Sequence, residues 1–147
     1  MGSESDATTM DEALTILEEF GVPSTRHILS AHRNPDAVRR FAQSAERRGY
    51  RVIIAGAGMA AHLAGALAAN TIIPVVGVPL AGSHLNGLDA LLSTVQMPTG
   101  IPVATMAIGK SGARNAALLA IEILALSNSR LRRKLKTYRS TLAKPGG

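Results

Sequence analysis

Cysteine and tryptophan are both absent from this chain of 147 residues, and aromatic residues make up only 3% of it. The lack of cysteine excludes disulfide bonds, thiolate nucleophiles and cysteine metal ligands, and it fits a reducing compartment such as the cytoplasm. No signal-peptide pattern is visible, and no apolar run reaches the roughly 18 residues that a membrane-spanning helix needs. We therefore expect a soluble cytoplasmic protein that does not enter a membrane.

Acidic residues are also absent after Glu122, whereas lysine and arginine crowd the last segment of the chain. In a protein with a net charge of +6, such a segment could bind nucleic acid or an anionic membrane. A solvated or subunit-covering helix face is the alternative. Tyr138 is the only aromatic residue there, so stacking on bases has little support and we expect no nucleic-acid partner. The basic residues are Arg130, Arg132, Arg133, Lys134, Lys136, Arg139 and Lys144.

Apolar residues make up 46% of the sequence and charged residues 18%, which is ordinary for a globular protein. We predict a single α/β domain over residues 1–147, with a basic C-terminal helix from about residue 130. Strand-like apolar runs alternate with helical patterns, which predicts an α/β sandwich with a parallel sheet. The predicted strands are 26–29, 51–55, 73–78 and 101–106, and the predicted helices are 7–20, 35–48, a segment after Gly58 to about 69, 87–95, 113–126 and 130–142.

The loops that follow the strands of a parallel sheet lie along one edge of it when the crossovers are right-handed. Ligands bind at that edge in open α/β folds. We therefore expect the loops at Gly2, Ser30, Gly56, Pro79 and Ile108 to converge. The first of these loops has no strand in front of it, although every later one does.

The segment Ser-Ala-His-Arg-Asn-Pro at 30–35 joins a predicted strand to a predicted helix. Asn34 is a suitable N-cap for that helix, and Pro35 suits its first turn. Helix N-termini attract anions, and the guanidinium of Arg33 matches phosphate or carboxylate oxygens. His32 can exchange a proton near neutral pH, although a structural loop histidine is an equally good interpretation of that residue alone. The segment predicts a site for an anionic small molecule beside a proton carrier.

Two hydroxyls and a carboxylate precede the first helix, at Ser3, Ser5 and Asp6. Simple capping of the helix, with Asp6 as the cap, is the plainer interpretation. Together with Ser30 and Arg33, however, the group suits a ribose phosphate. The aspartate would bind ribose hydroxyls, and the serine and arginine would bind the phosphate.

Two glycine motifs are similar to nucleotide-binding loops but depart from them. The run Gly-Ala-Gly-Met-Ala-Ala at 56–61 has Ala61 in place of the third glycine, and no acid follows the next strand to hold a ribose. The run Gly-Lys-Ser at 109–111 lacks the earlier glycine of a Walker loop, because Ala104 stands there. We therefore expect the glycines of the first run to let the backbone approach a ligand closely, and no spacing predicts a metal site.

The chain resembles the class I 5-(carboxyamino)imidazole ribonucleotide mutase family of purine synthesis in five motifs that occur in order over nearly its whole length. They are Gly-Ser-Glu-Ser-Asp at 2–6, Ser-Ala-His-Arg-Asn-Pro at 30–35, Ala-Gly-Ala-Gly-Met-Ala-Ala-His-Leu-Ala-Gly at 55–65, Gly-Leu-Asp-Ala-Leu-Leu-Ser-Thr-Val-Gln-Met-Pro at 87–98 and Ala-Ile-Gly-Lys at 107–110. The resemblance implies a three-layer α/β/α sandwich with a flavodoxin-like parallel sheet, a homo-octamer, and no metal or organic cofactor.

The resemblance also implies a reaction, in which a carboxylate leaves the exocyclic nitrogen of 5-(carboxyamino)imidazole ribonucleotide and reappears on ring carbon 4. His32 matches the family's general acid–base residue, which protonates the leaving nitrogen and later removes the ring proton. Asp6 matches a ribose contact, and Arg33 matches the phosphate end. The substrate-binding positions implied in this way are Ser3, Ser5, Asp6, Ser30, Ala31, Arg33, Gly58, Met59, Ala60, His62 and Leu63.

Two other functions stay open at this point. A class II carboxylase would take up carbon dioxide directly, although the run Ala-Ala-His-Leu at 60–63 favours class I. A non-catalytic ribonucleotide-binding subunit is the second alternative, because the family has a β-strand that ends at the position of Met1 and this sequence shows none. We expect that the start was assigned at an internal methionine or truncated. A further departure is Met59, which stands where the family often has glycine.

Overall fold

The computed structural model describes residues 1–143, in which helices and strands alternate. Lys144 of the basic segment therefore lies outside the described residues. No helix in this range is both long and apolar enough to cross a membrane. A short 3-10 helix, Glu4–Asp6, comes first. The other elements are α1 (Ala7–Phe20), α2 (Pro35–Ala45), β1 (Ile53–Gly58), α3 (Leu63–Ala68), β2 (Val75–Leu80), α4 (Leu88–Val95), β3 (Ala104–Thr105), α5 (Lys110–Ala125) and α6 (Ser129–Leu142).

The strands of the described residues form a parallel sheet in the order β1-β2-β3. β1 and β2 pair from Ile53 opposite Val75 to Gly58 opposite Leu80, whereas β3 pairs with β2 at two positions only. Every residue of β2 is buried, as expected for a parallel strand that is covered on both faces. The predicted α/β sandwich with a parallel sheet is confirmed.

Helices cover both faces of the sheet. On one face, α1 and α5 pack against each other and against Val76 and Val78 of β2, and α6 packs on α5. An edge-on contact between the rings of Phe20 and Tyr138, with centroids 5.5 Å apart, ties α6 to the end of α1. On the other face, α2 and α3 pack over Ile53 and neighbouring residues of the sheet. The core therefore consists of two apolar layers separated by the sheet.

Gly112, in the first turn of α5, lies directly against the preceding loop, and a Cβ at this position would collide with the backbone carbonyl of Ala107. Replacement of a helical glycine by alanine ordinarily stabilises a helix by about 1 kcal/mol. We expect the opposite here: Gly112→Ala should lower the free energy of unfolding by about 2 kcal/mol, because the backbone must shift.

Urea denaturation measures this effect. Ser111→Ala, at the exposed neighbouring position of the same helix, is the control and should leave the free energy of unfolding nearly unchanged. Equal stability of the Gly112 variant and the original chain would contradict the close approach of α5 to its loop.

The predicted strand at 26–29 is wrong. The segment is extended, but within residues 1–143 it makes backbone hydrogen bonds with Met1 alone. The Met1 nitrogen donates to the His27 carbonyl at 2.9 Å, and the Met1 carbonyl accepts from the Leu29 amide at 2.8 Å. A β-strand requires a continuous ladder of partners, and a single residue supplies one rung of it. β3 is likewise much shorter than the predicted 101–106.

The ends of several other elements also differ from the predicted ends. β1 and β2 begin later than predicted and continue to Gly58 and Leu80, because the glycine motif pairs in register with the end of β2. Residues 56–58 therefore belong to a strand and not to a loop. α2 ends at Ala45, before a turn that closes at Gly49 with φ +87°, and α5 begins at Lys110, three residues earlier than predicted. The extents of α1, α4 and α6 agree with the prediction within one residue.

Candidate active site

A cavity of about 390 Å³ lies at the carboxyl end of β1, where four of the five predicted loops meet. The loop at Ile108 does not line it, whereas Gly82, which the sequence analysis did not single out, does. All twelve predicted site residues border this cavity. Its lining consists of Gly2, Ser3, Ser5, Asp6, Ser30, Ala31, His32, Arg33, Ala57, Gly58, Met59, Ala60, Ala61, His62, Leu63 and Gly82.

The loop at 30–33 is held in place by hydrogen bonds at the start of α2. The side chain of Asn34 accepts from the Ala37 amide at 3.1 Å, which confirms its predicted role as N-cap. Ser30 accepts twice: its carbonyl from the Asn34 amide at 2.9 Å and its hydroxyl from the Arg33 amide at 3.3 Å. Ala31 is buried, whereas His32 and Arg33 are exposed to the cavity side of the loop. The turn thus presents an imidazole and a guanidinium next to each other.

The Ser3–Asp6 turn has a different construction from the predicted helix cap. Asp6 makes no side-chain hydrogen bond to the start of α1; its Oδ2 instead accepts from the Ser3 amide at 2.9 Å. The Ser3 hydroxyl accepts from the hydroxyl of Ser5 at 3.0 Å. The bond from the Ser3 amide to Asp6, together with a backbone amide that donates to the Ser3 hydroxyl, forms a capping box around the short 3-10 helix. The carboxylate keeps a second oxygen at the border of the cavity, where it can accept from a ligand hydroxyl.

The third loop follows β1 directly and turns sharply. Met59 is 62% exposed and has φ +56°, a left-handed conformation that a bulky side chain rarely adopts. The Ala61 amide donates to the Met59 carbonyl at 2.8 Å and closes the turn. At Gly58, a Cβ would lie 3.2 Å from the Leu80 carbonyl oxygen, so a small residue suits this position. The loop therefore brings backbone close to any ligand in the cavity.

The rings of His32 and His62 lie next to each other in the lining of the cavity. Their ring centroids are 5.1 Å apart, with the planes tilted by 43°. His62 occupies the N-cap position of α3 but makes no capping hydrogen bond through its side chain. Two imidazoles, one guanidinium and one carboxylate at the rim of a single cavity suit an anionic ligand and a proton transfer. Among residues 1–143, no group of three or more His, Asp or Glu side chains is placed to hold a metal ion.

Sequence reasoning missed a cluster of side chains around His27, which lies outside this cavity. The Nε2 of His27 is 3.1 Å from the hydroxyl of Tyr50, which is also 2.8 Å from the hydroxyl of Thr25. The ring of Phe41 packs against His27, with centroids 4.8 Å apart. These residues are up to 25 positions apart, so no local pattern could have predicted the cluster.

The cluster predicts a pH dependence of stability. Partial burial lowers the pKa of His27 below its ordinary value of 6.5, and the charges of Arg48 and of the Met1 ammonium lower it further. The unfolded chain therefore binds a proton at His27 more readily than the folded chain does. We expect the free energy of unfolding to fall as the pH drops from about 6.5 through the lowered pKa, and then to level off.

The free energy of unfolding, measured by urea denaturation between pH 8 and pH 5, tests this expectation. Because the Met1 ammonium also has a lowered pKa, the relevant quantity is the difference between the original chain and His27→Gln. Below about pH 6.5, the free energy of unfolding of the variant should decline less than that of the original chain. Identical pH profiles would show that His27 titrates alike in the folded and unfolded states.

The fold and the cavity define a class of protein: a three-layer parallel α/β sandwich with a polar cavity at the carboxyl ends of its strands, which is where open folds of this class bind their ligands. Residues 1–145 match the family described as AIR carboxylase. The chain belongs to this family.

Similar proteins extend over nearly the whole chain. The N5-carboxyaminoimidazole ribonucleotide mutase of Pyrococcus abyssi is 56% identical over 142 residues, which cover 97% of this chain and 80% of that protein. The proteins of the same name from Escherichia coli K12 and Bacillus subtilis are each 55% identical over 139 residues, or 95% of this chain, and are covered to 82% and 86%.

A crystal structure of Treponema denticola PurE superposes with a TM-score of 0.86 at 27% identity, and the match covers 97% of this chain and 88% of that one. This likeness confirms the predicted flavodoxin-like arrangement of the sheet.

Proposed function

We propose that this chain converts 5-(carboxyamino)imidazole ribonucleotide to 4-carboxy-5-aminoimidazole ribonucleotide in purine synthesis. The observation that carries the proposal is the placement of His32, Arg33 and Asp6 around one cavity, in a chain 56% identical to a mutase over 97% of its length. An arginine, serine hydroxyls and a carboxylate suit a ribose phosphate, and an imidazole suits the proton transfers.

The reaction needs one proton carrier and a closed space. His32 as imidazolium donates a proton to the exocyclic nitrogen as the bond from that nitrogen to the carboxylate carbon breaks, which releases carbon dioxide. Ring carbon 4 then attacks the carbon dioxide, and the neutral His32 removes the proton from that carbon. The proton that His32 gives to the nitrogen in the first step is thus replaced in the last step by the proton of ring carbon 4, which restores the imidazolium. The walls of the cavity would keep carbon dioxide beside the ring between the two steps.

The remaining side chains bind and orient the substrate. Arg33, the hydroxyl of Ser30 and the amides at the start of α2 would hold the phosphate, because a helix N-terminus and a guanidinium both attract it. Asp6 would accept from a ribose hydroxyl, beside Ser3 and Ser5. The loop of Gly58, Met59, Ala60, His62 and Leu63 would line the base and the carboxylate, with Ala31 behind it.

Conversion of 5-(carboxyamino)imidazole ribonucleotide by the purified chain tests the proposal, with bicarbonate present and with it removed. A mutase forms product at the same rate in both conditions, because it retains the carbon dioxide that it releases. Binding of the ribonucleotide to a correctly folded protein without any turnover would refute the proposal and would support a non-catalytic binding subunit.

The family's description as AIR carboxylase points to a second reaction, direct carboxylation of aminoimidazole ribonucleotide. That reaction depends on dissolved carbon dioxide, and its rate should rise with added bicarbonate. The same assay with aminoimidazole ribonucleotide as substrate separates the two. A rate that depends on carbon dioxide, together with no conversion of the carboxyamino compound, would show that the chain acts as the carboxylase and not as the mutase.

We also propose that the enzyme is a single-domain protein that acts in the cytoplasm as a homo-octamer. Support for self-association comes from an apolar surface on α4 and the loop before it, where Leu85 is 60% exposed and Leu88 and Leu92 are each 51% exposed. Exposed apolar patches of this kind commonly form subunit interfaces. Light scattering tests the octamer, and a stable monomer at micromolar concentration would contradict it.

A further inference from the structure

Met59 is the most exposed sulfur-containing residue of this chain. The sequence has no cysteine and five methionines, and all five lie within residues 1–143. Met10 is buried, and Met1, Met97 and Met106 are partly buried. Met59, in contrast, is 62% exposed. Because susceptibility to oxidation follows exposure, an oxidant in solution reaches the thioether of Met59 first.

The backbone holds Met59 in this exposed position although its conformation is unfavourable. Among residues 1–143, Met59 and Asn86 are the only residues other than glycine with a positive φ. Asparagine visits the left-handed region readily, whereas the Cβ of methionine crowds the following carbonyl oxygen there. The Ala61 amide donates to the Met59 carbonyl at 2.8 Å, and Ala61 and Leu63 are buried. The turn is thus anchored from the inside and leaves its bulky side chain outside.

Met59 lies at the site cavity and not elsewhere on the surface. It lines the cavity together with Arg33, His62 and the residues on either side of it in the loop. A cavity that admits a ribonucleotide also admits hydrogen peroxide, which is a much smaller molecule. Met59 therefore stays within reach of peroxide in any assembly of subunits that keeps the site open to its substrate.

Oxidation by peroxide changes the character of this side chain. A lone pair of the Met59 sulfur attacks one oxygen of hydrogen peroxide, and the O–O bond breaks. The second oxygen leaves as hydroxide and takes the remaining proton from the first, which gives water. The sulfur loses two electrons and the peroxide gains them. The product, methionine sulfoxide, is polar, and methionine sulfoxide reductases return it to the thioether.

A sulfoxide at this position would interfere with the ligand in two ways. Its oxygen is a hydrogen-bond acceptor in a cavity whose donors include the Arg33 guanidinium, which is proposed to bind phosphate. The sulfoxide would compete with the ligand for such donors. Its hydration would also bring water into a space that has to stay closed around carbon dioxide.

We propose that Met59 is a site of reversible oxidation by peroxide, and that its sulfoxide form lowers the affinity of the cavity for the ribonucleotide. The inference goes beyond the part of Met59 as a lining residue, and it rests on the proposed function for the identity of the ligand. The reaction of this chain slows when peroxide is present and recovers when the sulfoxide is reduced.

Peptide mapping by mass spectrometry measures the oxidation of each methionine when the full chain is treated with hydrogen peroxide. We expect Met59 to gain an oxygen at least about tenfold faster than the other methionines. Saturating aminoimidazole ribonucleotide should slow the oxidation of Met59 by about tenfold or more, since a bound ligand fills the cavity. Equal rates of oxidation at Met59 and at the buried Met10 would overturn the proposal.

Calorimetric titration with aminoimidazole ribonucleotide measures the consequence of oxidation. The chain oxidised at Met59 should bind the ribonucleotide about tenfold more weakly than the untreated chain. Treatment with two methionine sulfoxide reductases, one for each epimer of the sulfoxide, should restore the original affinity. An unchanged affinity in a chain that is fully oxidised at Met59 would overturn the proposal.

Met59→Leu locates the effect, because leucine has a similar volume and cannot be oxidised by peroxide. Treated and untreated samples of the same variant are compared, so a changed starting affinity does not affect the result. Peroxide should leave the affinity of Met59→Leu as it was. Met97→Leu removes a partly buried sulfur outside the cavity and should stay as sensitive as the original chain. Equal loss of affinity in Met59→Leu and the original chain would overturn the proposal.

Failure of this inference is distinguishable from failure of the proposed function. An untreated chain that binds aminoimidazole ribonucleotide but does not convert the carboxyamino compound refutes the mutase, and the affinity before and after oxidation still decides the role of Met59. A chain with full turnover and the same affinity before and after oxidation of Met59 refutes the role of Met59 alone. An untreated, folded chain that does not bind the ribonucleotide at all would overturn both.

Discussion

Substitution of His32 with asparagine is expected to reduce turnover of 5-(carboxyamino)imidazole ribonucleotide by about 100- to 10,000-fold, because general acid–base catalysis contributes that much. Asparagine keeps a polar side chain of similar length but cannot exchange a proton near neutral pH. The affinity for the ribonucleotide should change little, since in the proposed site other residues that line the cavity would hold the phosphate and the ribose. The measurement is single-turnover kinetics together with calorimetric titration of substrate binding.

His27→Asn is the matched control for this experiment, because His27 lies outside the site cavity. This variant should keep its turnover at temperatures well below its unfolding transition. A His32→Asn variant with the turnover of the original chain would remove His32 from the mechanism. His62, whose ring centroid lies 5.1 Å from that of His32, would then be the residue to substitute next.

Substitution of Arg33 with alanine is expected to weaken binding of aminoimidazole ribonucleotide by about 10- to 100-fold, which is the usual effect of losing a charged hydrogen-bond partner. Binding of the dephosphorylated nucleoside should change far less, because the nucleoside carries no phosphate for the guanidinium to contact. The ratio of the two losses, measured by calorimetry, tells whether Arg33 binds the phosphate.

Arg40→Ala removes the same charge from an exposed position of α2 that does not line the cavity. It controls for the general decrease in positive potential, and it should leave both affinities nearly unchanged at physiological ionic strength. Equal losses of nucleotide and nucleoside binding in Arg33→Ala would refute the phosphate role and would indicate that the substitution disturbs the whole loop.

Features that depend on neighbouring residues in the chain were predictable. Asn34 caps α2 as expected, because a cap contacts only the amides two or three positions later. α1 ends at Phe20, and the φ of +70° at Gly21 suits a left-handed C-cap. The convergence of Ser3, His32 and Gly58 in one cavity was expected from the rule that loops after parallel strands share an edge, although in the described residues no β-strand precedes Ser3 or His32. The roles of these residues in catalysis stay predictions.

Features that depend on distant partners were not predictable. The carboxylate of Asp6 could cap α1 or accept from the Ser3 amide, and the two contacts need different conformations of the turn. In the structure it accepts from the Ser3 amide and does not cap α1. The glycine motif at 56–58 extends β1 because β2 offers a partner in register, whereas the segment at 26–29 has backbone hydrogen bonds to Met1 alone among the described residues and is no strand. His27 and Tyr50 meet only through the fold.

The sequence by itself determined the chemistry that this protein carries: the family motifs, the helices that begin and end with local capping signals, and the histidine and arginine at the start of α2. Tertiary structure alone decided where the strands end and which loops enclose the cavity. The physical reason is that caps and amphipathic faces are formed by residues a few positions apart, while a strand exists only where another segment completes its hydrogen bonds.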